Sequence, residues 1–198
     1  MKQTLLATIL LALNFLSFCQ NKKANEKANA KTDSIPSYIK NKHIPDFKFL
    51  LSIKDKDSVW YTNKDLPANK TVALVYFSPE CGHCHHEMKE ILKHIDSLQN
   101  TIFVMMSFNP LDSIKNFAES YKIKDHPNII MGRDTKYFLP VYYSIKFTPF
   151  VALYDNQLNY VKSWDMGIDK MHEFIVLANT VVSDNNIEKK SKKKENTN

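Results

Sequence analysis

The alternation of apolar and polar positions is clearest between residues 71 and 98. Residues 72–77 form an unbroken apolar run rich in β-branched and aromatic side chains, which is typical of a strand buried on both faces. Beyond a short polar stretch, apolar side chains recur at helical spacing at Cys84, Met88, Ile91, Leu92, Ile95 and Leu98. This pattern predicts a buried strand followed by an amphipathic helix.

Similar patterns continue on both sides of this unit. Residues 47–53 and 58–61 predict two short strands that form a hairpin ahead of the main fold. Residues 101–108 predict a second buried strand, and Asn109-Pro110 then predicts a helix start with Asn109 as the cap. The short apolar segment 128–131 is interpreted as an edge strand.

The last third of the chain is predicted to alternate helix, hairpin and helix. Residues 134–146 are rich in aromatic side chains and predict a helix around Pro140. Residues 147–155 and 158–164 predict a β-hairpin, and 167–177 predicts a closing helix.

Two cysteines, Cys81 and Cys84, lie between the central strand and its helix. A cysteine at a helix N-terminus faces unpaired backbone N–H groups and the positive end of the helix dipole. Both favour the thiolate, which is the nucleophile in disulfide exchange. We therefore predict Cys81 as the nucleophile and Cys84 as the resolving thiol. A structural disulfide, and a metal site that also uses His83, His85 or His86, remain alternatives at this stage.

The amino-acid composition argues against two classes of function, nucleotide-cofactor binding and nucleic-acid binding. The 198 residues include only three glycines, which excludes a P-loop and a dinucleotide-binding glycine fingerprint and predicts no nucleotide cofactor. The net charge of +6 comes mostly from the two tails, because residues 34–183 carry a net charge of about +1. The folded part is therefore not expected to bind nucleic acid.

The N-terminal residues 1–19 are typical of an export signal, because a lysine is followed by a short apolar stretch. Leu16 to Cys19 is similar to the lipobox of bacterial lipoproteins, except that Phe18 stands where a small residue is usual. Lipid attachment at Cys19 and ordinary cleavage after it both remain open. Residues 20–43 are predicted to be a flexible spacer, 44–181 the folded domain, and 182–198 a disordered lysine-rich tail.

The order strand, Cys81-Gly-His-Cys84, helix, strand, helix, Thr148-Pro149, hairpin and helix resembles the thioredoxin fold. With its N-terminal hairpin, the chain is similar to exported thiol-disulfide oxidoreductases of the TlpA type and to redoxins. This resemblance implies an α/β fold of three layers, a central mixed sheet flanked by helices, with the hairpin as an N-terminal extension. It also implies a cis bond between Thr148 and Pro149, close to the cysteines, where the backbone binds substrate chains.

The chain departs from that family near the cysteines. Glu80 replaces the usual tryptophan, and its charge is expected to oppose thiolate formation at Cys81. Val75 replaces the buried acid of thioredoxins, so the proton of Cys84 needs another acceptor. Gly82 and His83 match protein disulfide isomerases, and a histidine at this position can stabilise the neighbouring thiolate. His85 and His86 are expected to be solvated.

These observations predict an exported thiol-disulfide oxidoreductase of the periplasm or cell envelope, anchored to the membrane if Cys19 is lipidated. Its partners would be protein thiols and disulfides together with a membrane or periplasmic redox partner. Whether it reduces, oxidises or isomerises disulfides stays open. The alternative functions are a metal-binding or copper-delivery protein and a thiol peroxidase, the latter because Ser78 to Cys81 imitates a Thr-x-x-Cys motif.

Overall fold

The computed structural model describes residues 37–51 and 59–180. Seven strands are present in this part of the chain: β1 Lys48–Leu51, β2 Trp60–Thr62, β3 Thr71–Tyr76, β4 Thr101–Ser107, β5 Ile129–Arg133, β6 Phe150–Tyr154 and β7 Tyr160–Asp165. The α-helices are α1 Ser37–Lys40, α2 Gly82–Lys93, α3 Leu111–Ser120, α4 Phe138–Tyr143 and α5, residues 171–180. Short 3-10 helices cover Asn63–Asp65, Ile95–Leu98 and Ile123–Asp125.

The strands form one mixed sheet in the order β2-β1-β5-β4-β3-β6-β7. The three central strands β3, β4 and β5 are parallel, and the remaining pairs are antiparallel. Every residue of β3 is buried, as its unbroken apolar run predicts. Since the carboxyl ends of parallel strands meet at one edge of the sheet, the loops after β3, β4 and β5 lie close together.

Helices cover both faces of the sheet and complete three layers. On one face, α2, α3 and α5 pack against side chains such as Ala73 and Val75. On the other face, α1 and α4 pack against Val72 and Leu74. The alternation along β3 follows from the two-residue period of a strand, and the predicted three-layer α/β architecture is confirmed.

Two local predictions are wrong. Segment 128–131 does not belong to an edge strand, because β5 pairs with β4 along its length and, at Gly132 and Arg133, with β1 on the other side. Gly132 allows this second pairing: a Cβ there would lie 2.2 Å from the carbonyl oxygen of Leu50. Asn109 does not cap α3 either, since Pro110 occupies the N-cap position and the Asn109 side chain bonds to neighbouring loops.

Several predictions fall outside the described residues: the export signal, Cys19, most of the spacer, the turn at 54–57 and the C-terminal tail. The end of the spacer is described, and there Tyr38 packs its ring 5.0 Å from that of Tyr143. Within residues 37–51 and 59–180, no helix is long and apolar enough to cross a membrane.

Candidate active site

Cys81 occupies the N-cap position of α2, directly after the loop that leaves β3. Its carbonyl oxygen accepts hydrogen bonds from the backbone N–H groups of Cys84 and His85, at 3.0 and 3.1 Å, and these bonds begin the helix. Its own N–H donates to the carbonyl of Ser78 at 3.1 Å. The buried strand and the amphipathic helix thus place the Cys81 thiol where unpaired helix N–H groups point.

The pKa of Cys81 is lower than that of an ordinary cysteine. Partial burial by itself raises this pKa, but hydrogen bonds from the Thr148 side chain, from the backbone and thiol of Cys84 and from the backbone N–H of His83 together lower it by more. A half-buried thiol with a lowered pKa is the form that attacks disulfides.

Cys84 has the opposite environment. Only 2% of its surface is exposed, and its sulfur accepts a hydrogen bond from the Ser78 N–H at 3.4 Å. Burial, chiefly, and the interaction with Cys81 raise the pKa of Cys84 to about 12. At neutral pH, therefore, Cys84 holds its proton while Cys81 releases its own more readily.

The loop before β6 is far from the cysteines along the chain but lies next to Cys81 in the fold. The Thr148–Pro149 peptide bond is cis, as the resemblance implies, and the Cys81 thiol donates to the Thr148 carbonyl oxygen at 3.5 Å. The sheet order explains this meeting, because β6 pairs directly with β3, whose end leads to Cys81.

Three residues next to the cysteines lie at the surface: Glu80, Gly82 and His83. The exposed Glu80 carboxylate accepts a hydrogen bond from the Asn109 side chain at 3.0 Å, and it is not among the groups that shift the pKa of Cys81. The opposition of Glu80 to thiolate formation at Cys81 stays a prediction. His83 is exposed and acts on Cys81 through its backbone N–H. A Cβ on Gly82 would meet nothing within 4 Å, so space above the motif is open.

Sequence analysis missed Glu87, a carboxyl group that is only 6% exposed. One oxygen, Oε2, accepts the backbone N–H of Ile168 at 3.1 Å, and the other, Oε1, has no hydrogen-bond partner. Burial raises the pKa of Glu87 to about 7. Its position three residues after Cys84, on the apolar stripe of α2, is the signal that could have revealed it.

The Glu87 carboxyl group is close to the cysteine site. A Cβ built on Gly167 would lie 2.6 Å from Glu87 Oε2 and 3.1 Å from Pro149 Cγ. Glu87 and Pro149 therefore border the same small space, beside the carbonyl of Thr148 that Cys81 contacts. This places a titratable group with a pKa near neutrality beside Pro149 and three residues after Cys84 on α2.

Of the two histidines expected to be solvated, His85 differs from expectation. His86 is exposed, but His85 is half-buried and bonds to Pro79 and Tyr121. Within residues 37–51 and 59–180, no group of three His, Cys, Asp or Glu side chains could hold a metal ion.

The family model described as the AhpC/TSA family matches residues 41–189 of this chain. The chain belongs to the AhpC/TSA family. Among curated proteins, none matches it significantly. The match spans the whole described sheet and every described helix except α1, so Cys81, Cys84 and Thr148-Pro149 lie within the AhpC/TSA region.

Several solved structures share the thioredoxin-like fold of this chain. A proposed protein disulfide isomerase from Bacteroides thetaiotaomicron is 22% identical with a TM-score of 0.56, and the match covers 72% of this chain and 89% of that one. A secreted disulfide oxidoreductase from Mycobacterium tuberculosis is 13% identical, with a TM-score of 0.54 and coverage of 68% and 95%. A reduced 2-Cys peroxiredoxin from Plasmodium vivax is 14% identical, with a TM-score of 0.58 and coverage of 73% and 96%. The family and the fold together indicate a redox enzyme.

Proposed function

We propose that this protein is a thiol-disulfide oxidoreductase that exchanges disulfides with protein substrates through Cys81 and Cys84. The observation that carries the proposal is the unequal state of the two thiols. Cys81 is partly exposed and has a lowered pKa, whereas Cys84 is buried and has a pKa of about 12. Such a pair has one sulfur ready to attack and a second held in reserve.

In the reducing direction, the Cys81 thiolate attacks one sulfur of a substrate disulfide. The substrate S–S bond breaks, a mixed disulfide with Cys81 forms, and the released substrate thiolate takes a proton from solvent. Cys84 then loses its proton and attacks the Cys81 sulfur, which gives the Cys81–Cys84 disulfide and the second substrate thiolate. The reverse sequence oxidises a substrate dithiol.

Glu87 is the proton acceptor that we assign to Cys84. Cys84 and Glu87 are three residues apart on one face of α2, both are buried, and a carboxyl group with a pKa of about 7 can take up or return a proton near neutral pH. Glu87 would thus replace the acid that Val75 does not provide.

Exposed apolar side chains support a protein substrate. Phe147, immediately before Thr148, is 64% exposed, and Met166, immediately before Gly167, is 60% exposed. Phe108, on the loop after β4, is 46% exposed, next to the Asn109 that bonds to Glu80. Apolar groups on both sides of Cys81 suit an extended chain better than a small polar substrate.

The wider setting that we propose is the cell envelope, with a TlpA-type role. The support is the signal-like sequence 1–19 and the resemblance of the Cys81–Cys84 motif and Thr148-Pro149 to exported oxidoreductases. A membrane or periplasmic redox partner would then set the working direction, and Cys19 would supply an anchor if lipidated.

The test is trapping of substrate. Cys84→Ala removes the resolving thiol, so this variant should accumulate mixed disulfides with protein substrates on non-reducing gels. Cys81→Ala, the matched control, should accumulate none when Cys19 is replaced by serine in both variants, because the remaining thiol, Cys84, is buried and protonated. Equal trapping by the two variants would refute the assignment of roles.

A second candidate function is a thiol peroxidase, which membership of the AhpC/TSA family favours. Here the Cys81 thiolate would attack a peroxide oxygen, releasing the alcohol or water and leaving a sulfenic acid. Cys84 would then displace water and form the disulfide. Peroxide consumption no faster than that of a free thiol would dismiss this candidate.

A further inference from the structure

The half-buried ring of His85 contacts the loop before Cys81 on one side and the end of α3 on the other. Its Nε2 lies 2.8 Å from the carbonyl oxygen of Pro79, in the loop before Cys81. Its Nδ1 lies 2.7 Å from the hydroxyl of Tyr121, immediately after α3. The ring also packs 4.9 Å from the ring of Phe117. A solvated histidine would make none of these contacts.

The two hydrogen bonds determine how the ring is protonated. A carbonyl oxygen only accepts, so Nε2 carries a hydrogen and donates it to Pro79. Nδ1 faces a hydroxyl that can donate or accept, and the Tyr121 hydroxyl also lies 3.3 Å from the carbonyl oxygen of His85 itself. The hydrogen bond to Pro79 thus runs in one direction only, from Nε2 to the carbonyl oxygen.

The Pro79 carbonyl belongs to the segment that positions both sulfurs. Ser78 donates its N–H to the Cys84 sulfur at 3.4 Å, and its carbonyl accepts the N–H of Cys81 at 3.1 Å. Pro79, the next residue, has a fixed φ and no N–H of its own. Anchoring its carbonyl fixes the orientation of the peptide groups on both sides of it.

We propose that His85 is a positioning residue that holds Pro79, and with it the Ser78 N–H, in place against Cys84. The proposal rests on the thiol-disulfide exchange function proposed above. The Ser78 N–H lowers the pKa of Cys84. Loss of the His85–Pro79 bond should therefore slow the step in which Cys84 loses its proton and attacks, and should leave the attack by Cys81 less affected.

A two-step reaction with dithionitrobenzoate separates these steps. The Cys81 thiolate attacks the reagent disulfide, forms a mixed disulfide and releases one thionitrobenzoate in a phase that depends on reagent concentration. Cys84 then loses its proton and displaces the second thionitrobenzoate in a concentration-independent phase. Absorbance of the released product follows both phases in the full-length reduced protein with Cys19 replaced by serine, because a third thiol would also react with the reagent.

Three substitutions separate the two hydrogen bonds of His85. Glutamine can place an N–H where Nε2 stands and so keep the bond to Pro79, whereas asparagine reaches only the Nδ1 position and keeps the bond to Tyr121. Tyr121→Phe removes the Tyr121 hydroxyl and leaves the Pro79 bond. We expect His85→Asn to slow the second phase roughly 3- to 10-fold, the effect of one hydrogen bond, and His85→Gln and Tyr121→Phe to stay within about 2-fold of wild type.

The outcomes are distinct. A second phase in His85→Asn that matches wild type, or one in His85→Gln slowed as much as in His85→Asn, overturns the proposal. Melting temperatures of the same variants are measured in parallel. If His85→Asn and His85→Gln both melt at a lower temperature while their second phase matches wild type, the role of His85 is purely structural. That result would also overturn the proposal. Absence of any second phase in the wild-type protein would instead refute the exchange function itself.

Discussion

Replacing Glu87 with glutamine should remove a pH dependence of stability. Burial raises the pKa of Glu87 from 4.5 to about 7, so between these values the folded protein binds more protons than the unfolded chain. The unfolding free energy therefore falls as pH rises through this window. The stabilisation is complete below pH 4.5 and is lost as pH increases past 7.

The size of this effect follows from the same two pKa values. The difference between 4.5 and about 7, at 1.36 kcal/mol per unit, corresponds to about 3 kcal/mol between acidic and alkaline conditions. Glutamine keeps an acceptor for the Ile168 N–H, but its NH₂ group would occupy the place of the unpartnered Oε1. That cost does not depend on pH, so the slope reports the titration alone.

The assay is urea unfolding of the reduced protein at a series of pH values from 5 to 8.5. Wild type minus Glu87→Gln cancels the other titrating groups, and the difference should change by about 2.5 kcal/mol between pH 5 and 8.5, because part of the change lies below pH 5. Glu173→Gln, at an exposed carboxylate on α5 paired with Lys170 at 2.9 Å, is the control and should follow wild type. Parallel curves for wild type and Glu87→Gln would show that Glu87 does not titrate near pH 7.

Two further predictions concern the thiols and the sheet. Iodoacetamide at neutral pH should modify Cys81 and leave Cys84 intact in the folded protein, because burial raises the pKa of Cys84 to about 12. Peptide mass spectrometry measures the label on each cysteine, and equal labelling of the two would contradict the geometry. Gly132→Ala should lower the unfolding free energy by about 1–3 kcal/mol in denaturant titrations, since its Cβ would overlap the Leu50 carbonyl. Gly82→Ala is the matched control, where a Cβ meets nothing within 4 Å; an equal loss in both variants would argue against this explanation.

The sequence was sufficient for the sheet centre and the cysteine pair because each has a strong local pattern. The apolar run of β3 leaves no alternative to a buried strand, and the helical stripe of α2 begins at Cys84. The neighbours of β5 could not be predicted in this way. A short apolar segment does not reveal how many strands pair with it, and the decisive feature was the space that Gly132 leaves for β1.

The site was harder to predict where charge and burial conflict. Glu87 lies among charged residues in the sequence, and only the folded structure shows that Ile168 and Gly167 enclose its carboxyl group. His85 was expected in water because it lies in the first turn of the predicted helix, which was expected to be exposed. Its partners, Pro79 and Tyr121, are brought to it by the loop before α2 and by the end of α3. Contacts of this kind depend on tertiary structure, which spacing does not encode.

The sulfur atoms of Cys81 and Cys84 lie at different depths below the surface, and this difference fixes the order in which they react. An electrophile, an oxidant or a small-molecule warhead arriving from solvent meets Cys81 first, because Cys84 lies beneath the surface. One such reagent can therefore form one adduct at this pair, on the Cys81 sulfur, before the Cys84 sulfur reacts. A covalent probe built on this asymmetry would count occupied sites directly, without any need to distinguish the two cysteines afterwards.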